Sequence, residues 1–167
     1  MVVQLMPRAI KINYVVGDAT APACDGPKII VHICNNLGAW GRGFVMALSR
    51  RWPEPEQCYR AWHRGESNTP FELGQVQFVQ VENDTWIANL IGQCDIRPSE
   101  GIPPIRYEAV RAGLLRIGSE AKRLGASIHM PRMGCGLAGG KWEEVSALIE
   151  QELIVHSIPV TVYDLAS

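Results

Sequence analysis

The sequence lacks the features that would assign a chain directly to a membrane, secreted or nucleic-acid-binding class. It contains no apolar run approaching the roughly 18 residues that a membrane-spanning helix needs, and no secretory signal pattern is visible at its start. The net charge is −1, and like charges do not cluster in runs. We therefore expect a cytoplasmic protein without a membrane partner, and the charge does not indicate a nucleic-acid partner.

The cysteines and the common nucleotide motifs exclude further classes. The five cysteines are odd in number and show neither the C-x-x-C nor the Cys/His spacing of a metal site. Reduced thiols, no bound metal and no cofactor are therefore predicted. A dinucleotide G-x-G-x-x-G motif does not follow the first predicted strand, and no glycine-rich stretch ends in the Gly-Lys-Ser/Thr of a Walker loop. A Rossmann-like dinucleotide enzyme is consequently poorly supported.

Length and composition predict a single domain spanning residues 1–167, with a core from about residue 10 to residue 165. The chain is 47% hydrophobic and 20% charged, which is ordinary for a globular protein. We expect it to be a monomer.

Apolar periodicity predicts the order of helices and strands. After a lead-in at residues 1–9 we expect a strand over 10–16, a buried strand over 29–34, a helix that includes Phe44 and runs through about Arg51, and a second helix through Trp62. Strands over 75–81 and 85–91 precede a long helix with Pro104 in its first turn and Gly125 at its end. A strand over 127–130, a helix to about residue 156 and a last strand around 160–162 complete the chain. Because strands and helices alternate, the fold class predicted is a three-layer α/β/α domain with a mixed, mostly parallel central sheet.

A glycine-rich stretch from Met130 to Trp142 joins a predicted strand to a predicted helix. Main-chain N–H groups at such a turn lack partners, and the positive end of the helix dipole points at a bound anion. The glycines at 134, 136, 139 and 140 allow positive φ angles and a close approach of phosphate to the main chain. A tight strand–helix turn without a ligand remains the alternative.

Three segments fall at the predicted carboxyl ends of strands, where ligands bind in sheets of this kind. They are residues 17–19, 35–44 and 134–140. Asp18 can accept a hydrogen bond from an adenine amino group, Asn35 can contact a ribose, and the last segment suits a diphosphate. Together they favour one ligand that contains all three groups.

On these residues the chain resembles the macrodomain family, which binds ADP-ribose. Residues 14–18 (YVVGD) resemble the family's first-strand motif, residues 32–44 (HICNNLGAWGRGF) the loop around the distal ribose, and residues 130–142 (MPRMGCGLAGGKW) the diphosphate loop. The motifs are most similar to the branch that holds yeast-type ADP-ribose 1″-phosphate phosphatase and terminal ADP-ribose protein glycohydrolase. The resemblance covers about Ile12 to Leu165 and implies ADP-ribose or an ADP-ribosylated macromolecule as the partner.

The resemblance also implies roles for individual residues. It implies that ADP-ribose is bound by Asp18, Ala19, Asn35, Gly41, Arg42, Gly43, Phe44, Gly134, Cys135, Gly136, Leu137, Ala138 and Gly139. It implies catalytic roles for Asn35, which would orient the distal ribose, and for His32, which matches a histidine of the phosphatase-like relatives.

Structural roles for the same residues stay open. A histidine inside an apolar strand, such as His32, can be a hydrogen-bonded core residue with no role in the site. An asparagine that follows a strand, such as Asn35, can be a turn residue. Neither residue adjacent to Cys135 in the sequence is basic, so we expect it to lend its main-chain N–H rather than to act as a nucleophile.

Two positions depart from the glycohydrolase of that branch. It uses a lysine nucleophile near the end of the middle strand, where this chain has Gln93, and an aspartate after Gly-x-Gly-Leu, where this chain has Ala138. Neither side chain can replace those roles. Two functions therefore remain open: a hydrolase of ADP-ribosyl linkages or of ADP-ribose 1″-phosphate that uses a positioned water, and a reader module that binds ADP-ribose without catalysis.

Overall fold

The structure, a computed structural model, describes residues 10–166, so the lead-in predicted at residues 1–9 lies outside the described residues. The elements in chain order are β1 (Asn13–Val16), β2 (Lys28–Asn35), α1 (Phe44–Arg51), α2 (Glu54–His63), β3 (Val76–Glu82), β4 (Thr85–Gln93), α3 (Tyr107–Leu124), β5 (Ser127–Met130), α4 (Trp142–Glu152), a 3-10 turn (Ile154–His156) and β6 (Val160–Asp164).

The six strands form one sheet in the order β1-β6-β5-β2-β4-β3. Every pairing is parallel except that of β3 with β4, which is antiparallel. The predicted mixed, mostly parallel sheet is confirmed. Because β1, β2, β4, β5 and β6 run in one direction, the loops that follow them meet at one edge of the sheet.

The central strand β2 separates two hydrophobic cores, one on each face of the sheet. Ile29 and Val31 belong to the core that α3 and α4 cover, whereas Ile30 and Cys34 belong to the core that α1 and α2 cover. Burial on both faces is the reason that β2 reads as a continuous apolar run rather than an alternating one. The three predicted layers follow from this arrangement.

The edge strand β1 is shorter than its alternating pattern predicts. It begins at Asn13 rather than Ile10 and pairs with β6 over four residues. Tyr14 and Val16 are 47% and 72% exposed, respectively, because a strand at the edge of the sheet has a neighbour on one side and only partial cover on its faces.

The long helix α3 carries the predicted apolar stripe, and Val110, Leu114 and Ile117 are fully buried. Its predicted start is wrong, because the helix begins at Tyr107 and Pro104 lies outside it. The carbonyl of Pro104 instead accepts the Cys94 N–H at 2.8 Å, and Ile105 bridges to Gln93. The segment before α3 is thus extended and crosses the end of β4, beside the candidate site described below.

Two smaller findings complete the fold. The last helix ends at Glu152 and continues as the separate 3-10 turn, rather than as one helix to about residue 156. No helix within residues 10–166 combines the length and the apolar character needed to cross a bilayer.

Candidate functional site

A cleft of about 700 Å³ opens at the carboxyl edge of the sheet, between the loops that follow β2, β4 and β5. It is lined by His32, Ile33, Cys34, Asn35, Ala39, Trp40, Gly41, Arg42, Gly43, Phe44, Val45, Arg60, Gln93, Ile96, Pro131, Arg132, Met133, Gly134, Gly136, Leu137 and Ala138. Two of the three segments singled out in the sequence therefore face each other across one cavity.

The structure brings together most, but not all, of the residues predicted for the site. The predicted residues that line the cleft are His32, Asn35, Gly41, Arg42, Gly43, Phe44, Gly134, Gly136, Leu137 and Ala138. Asp18, Ala19, Cys135 and Gly139 are not among the lining residues. Their roles in binding stay predictions.

The glycine-rich loop between β5 and α4 is folded tightly on itself. The Gly140 N–H donates to the carbonyl of Gly134 at 2.7 Å, and a Cβ at Gly140 would lie 2.5 Å from that oxygen. Glycine at 140 is therefore required by close main-chain approach. The loop leaves the N–H groups of Gly136, Leu137 and Ala138 without an acceptor among residues 10–166. Three consecutive N–H groups without an acceptor, in a glycine-rich loop, form a site for an anion.

Some details of the loop differ from the sequence-based expectation. The N–H of Cys135 donates to Arg132 and that of Gly139 to Gly136, so neither is free. Burial raises the pKa of the Cys135 thiol despite the nearby Arg132 charge, which agrees with its expected lack of nucleophilic character. Positive φ occurs at Gly134 and Gly139 but not at Gly136, where a Cβ would meet nothing within 4 Å.

The start of α1 supplies a second set of N–H groups opposite this loop. Gly43, with φ 82°, precedes the helix, which has no side-chain cap and no acidic residue in its first turn. The Met46 N–H donates to the carbonyl of Gly43 at 3.1 Å, whereas the N–H groups of Phe44 and Val45 have no acceptor among residues 10–166. The positive end of the helix dipole lies at the same place. A Cβ at Gly43 would lie 3.6 Å from a methyl group of Leu137, so the two loops are close to each other across the cleft.

Asn35, at the end of β2, holds the turn that follows it. Its Oδ1 accepts the N–H groups of Leu37 (2.9 Å) and Ala39 (3.1 Å), and its Nδ2 donates to the carbonyl of Ala39 at 2.8 Å. These contacts fix the orientation of the amide, and the second hydrogen on Nδ2 has no acceptor among residues 10–166. Asn35 therefore has the turn role that the sequence left open, and it also lines the site.

His32 lies at the floor of the cleft and is 2% exposed. Its Nε2 is 2.5 Å from Oδ1 of Asn89, and its ring packs against Trp40 and Phe44. Burial lowers the pKa of His32 to about 4, so the imidazole is neutral near pH 7. These contacts are those of a satisfied core histidine, while a catalytic role stays a prediction.

Asp18 follows β1 and caps a turn. Its Oδ1 accepts the N–H of Thr20 at 2.8 Å and the hydroxyl of Thr20 at 2.7 Å. Burial acts to raise the pKa of Asp18, but these hydrogen bonds and the charges of Arg51 and Arg50 lower it overall. The carboxylate is consequently ionised near pH 7, and Oδ2 has no hydrogen bond within residues 10–166.

Gln93 and Ala138 occupy the two positions where the sequence departs from the glycohydrolase pattern, and both line the cleft. The Nε2 of Gln93 donates to the carbonyl of Asp95 at 2.9 Å. Within residues 10–166, Oε1 of Gln93 accepts no hydrogen bond and is therefore the atom of this amide that is available as an acceptor. Ala138 contributes a buried methyl group and a carbonyl that accepts the N–H of Ile105 at 3.1 Å.

Sequence reasoning missed several lining residues, among them Arg60, Ile96, Arg132 and Met133. Arg132 and Met133 lie inside the glycine-rich stretch, so their position was a usable signal. Arg60 comes from the middle of α2, and no local pattern indicates that this helix packs beside the cleft. Among residues 10–166, no cluster of three or more His, Cys, Asp or Glu side chains could hold a metal ion.

Comparison with known proteins identifies relatives along nearly the whole chain. No protein-family model matches. The ADP-ribose glycohydrolase OARD1 of Bos taurus is 42% identical over 158 residues, which cover 93% of this chain and 92% of that protein. An ADP-ribose 1″-phosphate phosphatase of Candida albicans is 24% identical over 148 residues, covering 84% of this chain and 92% of that protein. The relatives thus include both a glycohydrolase and a phosphatase, the two kinds of enzyme in the branch that the sequence resembles.

Other relatives differ in length or are known as structures. The Chromodomain-helicase-DNA-binding protein 1-like of Mus musculus is 32% identical over 161 residues, but this chain spans 17% of its length. A solved structure of a macrodomain protein from Streptomyces coelicolor is 54% identical, covers 92% of this chain and 99% of its own, and superposes with a TM-score of 0.83. The chain belongs to the macrodomain family.

Proposed function

We propose that the protein binds ADP-ribose in this cleft and hydrolyses a linkage at the distal ribose of an ADP-ribosylated target. The observation that carries the proposal is the set of three unpaired N–H groups at Gly136–Ala138, which face the start of α1 across the cleft beside Asn35. A diphosphate presents several acceptor oxygens, and it fits the N–H groups of this loop together with the start of α1, where the positive end of a helix dipole lies.

The adenosine and the distal ribose would extend from the diphosphate in opposite directions. Asn35, at the end of β2, and Phe44, at the start of α1, both line the cleft, and we assign the distal ribose to them. Asp18, at the end of β1, would accept a hydrogen bond from the adenine amino group through Oδ2.

For the chemical step, we assign the attack to a water that the cleft would orient, rather than to a covalent nucleophile. Water would attack C1″ of the distal ribose, its oxygen forming the new bond while the bond to the target breaks and the proton passes to the leaving oxygen. The free Oε1 of Gln93 can accept a hydrogen bond from that water and so orient it. A neutral amide that only orients the water accelerates hydrolysis weakly, so we expect the substrate to be a labile ester linkage rather than a more stable one.

A second function is supported by the same two positions. Gln93 and Ala138 supply neither a reactive amine nor a carboxylate, so a reader that binds ADP-ribose and cleaves nothing is the alternative. Release of phosphate from ADP-ribose 1″-phosphate is the other candidate reaction. It draws support from the phosphatase relative, whereas the neutral, hydrogen-bonded state of His32 gives it none. The predicted monomeric state and cytoplasmic location remain predictions.

The decisive experiment combines binding with a substrate panel. Calorimetry with ADP-ribose, AMP and NAD is expected to show tighter binding of ADP-ribose, because only this ligand places a free distal ribose beyond the diphosphate. Incubation with glutamate-linked ADP-ribosylated protein and with ADP-ribose 1″-phosphate, followed by direct detection of products, then separates the reactions. Binding without product from either substrate would establish the reader, and equal or tighter binding of AMP would remove the diphosphate site.

A further inference from the structure

Helix α2 supports the loop that carries Asn35 from beneath. Tyr59 is fully buried, and its hydroxyl lies 2.6 Å from the main-chain oxygen of Asn35 and 2.9 Å from Oδ1 of the same residue. A hydroxyl has one hydrogen to donate, so these two acceptors share it. Tyr59 thereby contacts both the backbone and the amide of the residue assigned to the distal ribose.

The same helix also contacts the part of this loop that follows Asn35, at Gly38 and Trp40. Arg60 donates to the carbonyls of Gly38 (3.2 Å) and Trp40 (3.1 Å), and Glu56 fixes its guanidinium at 2.9 Å. The ring of His63 packs so closely on Gly38 that a Cβ there would lie 2.5 Å from it. Three neighbouring positions of one helix therefore order this loop, and Tyr59 is the one that reaches Asn35.

We propose that Tyr59 is a positioning residue that acts through Asn35. The inference rests on the proposed function, because it assumes that the Asn35 amide contacts the reacting ribose. Oδ1 of Asn35 accepts from Leu37, Ala39 and Tyr59, and these three donors together prevent rotation of the amide. Its remaining Nδ2 hydrogen then points in one direction, as an orienting contact needs.

The hydroxyl of Tyr59 can be separated from its ring. The ring packs on Trp40 and Phe71 with centroid distances of 5.5 and 5.7 Å, and phenylalanine would keep those contacts. Tyr59 is not among the residues that line the cleft, so the substitution Tyr59→Phe removes no direct ligand contact. If the hydroxyl were only structural, its removal would lower thermal stability and leave both kcat and KM unchanged.

The matched control is Tyr163→Phe, which removes another packed hydroxyl, one that lies 2.7 Å from Nδ1 of His129. With the substrate that the wild-type protein cleaves, Tyr59→Phe should lower kcat about tenfold while KM stays within about threefold. Tyr163→Phe should lower the melting temperature without changing kcat.

Three outcomes would count against the proposal. A wild-type kcat in Tyr59→Phe would overturn it and leave the proposed function intact. Equal losses of kcat in both variants would also overturn it, because they would reflect stability alone. Absence of turnover by the wild-type protein would overturn the proposed hydrolase and this inference with it.

Discussion

Arg132 and Asp164, 32 residues apart, form a two-point ion pair that joins the start of the glycine-rich loop to the end of β6. Nε of Arg132 lies 2.6 Å from Oδ1 and Nη2 lies 3.0 Å from Oδ2. The guanidinium also lies over the rings of Tyr14 and Trp142, 5.2 Å from each centroid. This arrangement fixes the start of the glycine-rich loop, which lines the cleft, to the carboxyl end of β6.

We predict that Arg132→Lys weakens ADP-ribose binding severalfold with a small loss of thermal stability. A lysine keeps the charge but cannot form the two-point contact or place a planar guanidinium over an aromatic ring. Arg123→Lys is the matched control, since Arg123 is an exposed residue of α3 that pairs with Glu120 and does not line the cleft. Calorimetry that finds equal affinity for both variants would show that the ion pair does not shape the site.

Asp18→Ala should weaken ADP-ribose binding by about tenfold, or about 1.4 kcal/mol, as expected for loss of a hydrogen bond to a charged group. The carboxylate also caps the turn through Thr20, so Thr20→Val serves as a control that weakens the turn but keeps the carboxylate. Calorimetry should place the control near wild type. Unchanged affinity in Asp18→Ala would remove this residue from the site.

Asn35→Ala should lower kcat far more than it lowers affinity for ADP-ribose, because an orienting contact to the reacting ribose matters most in the transition state. Asn36→Ala is the matched control: Asn36 accepts the Asp95 N–H at 2.8 Å and does not line the cleft. Steady-state kinetics and calorimetry on both variants test the difference. Equal losses of turnover and affinity in Asn35→Ala would mark Asn35 as a binding residue.

The parts of the fold that local patterns determine were predictable, such as the doubly buried strand β2 and the stripe of α3. The start of α3 was not, because the bridge between Ile105 and Gln93 and the Cys94–Pro104 hydrogen bond override the preference of proline for a first helical turn. Similarly, the glycine spacing predicted an anion site but could not show which N–H groups the loop uses internally.

Contacts between distant segments account for most of what the sequence did not reveal in the candidate site. The Tyr59–Asn35 contact spans 24 residues and the His32–Asn89 contact spans 57. Each depends on how a helix or a neighbouring strand packs, and no spacing in the chain encodes it. Resemblance to the family predicted that Asn35 and His32 belong to the site, whereas the structure shows the hydrogen bonds that fix their side chains.

Buried histidines should make the protein less stable in mild acid. Burial lowers the pKa of both His32 and His129 to about 4, with the nearby Lys28 charge contributing at His129. An unfolded chain takes up these protons near pH 6.5, so the unfolded state gains protons first as the pH falls. The free energy of unfolding should therefore fall between about pH 6.5 and pH 4, by about 2 kcal/mol per histidine at pH 5.

Denaturant unfolding at pH 7 and pH 5 measures this loss. His129→Gln should lose less stability than wild type between the two pH values, whatever its stability at pH 7. His156→Gln, at an exposed position, should match the wild-type difference. The same pH dependence in all three proteins would contradict the burial of His129 as the cause.

The glycine-rich loop gives the sharpest test of the anion site, through two substitutions at one position. Gly136 has no positive φ, and a Cβ there would meet nothing within 4 Å. Gly136→Ala should therefore fold normally, since an open position tolerates a methyl group. It should weaken ADP-ribose binding less than Gly136→Glu does, because it adds a Cβ beside the ligand but no charge.

Gly136→Glu should fold equally well but lose measurable ADP-ribose binding. The new carboxylate would stand beside the N–H groups of residues 136–138, compete for them, and repel the diphosphate at short range. Each charge-assisted hydrogen bond lost is worth about 1.5–3 kcal/mol. Thermal melts of both variants beside calorimetry with ADP-ribose check the result. A cooperative melt together with near-wild-type binding in Gly136→Glu would mean that the loop is a turn and holds no phosphate.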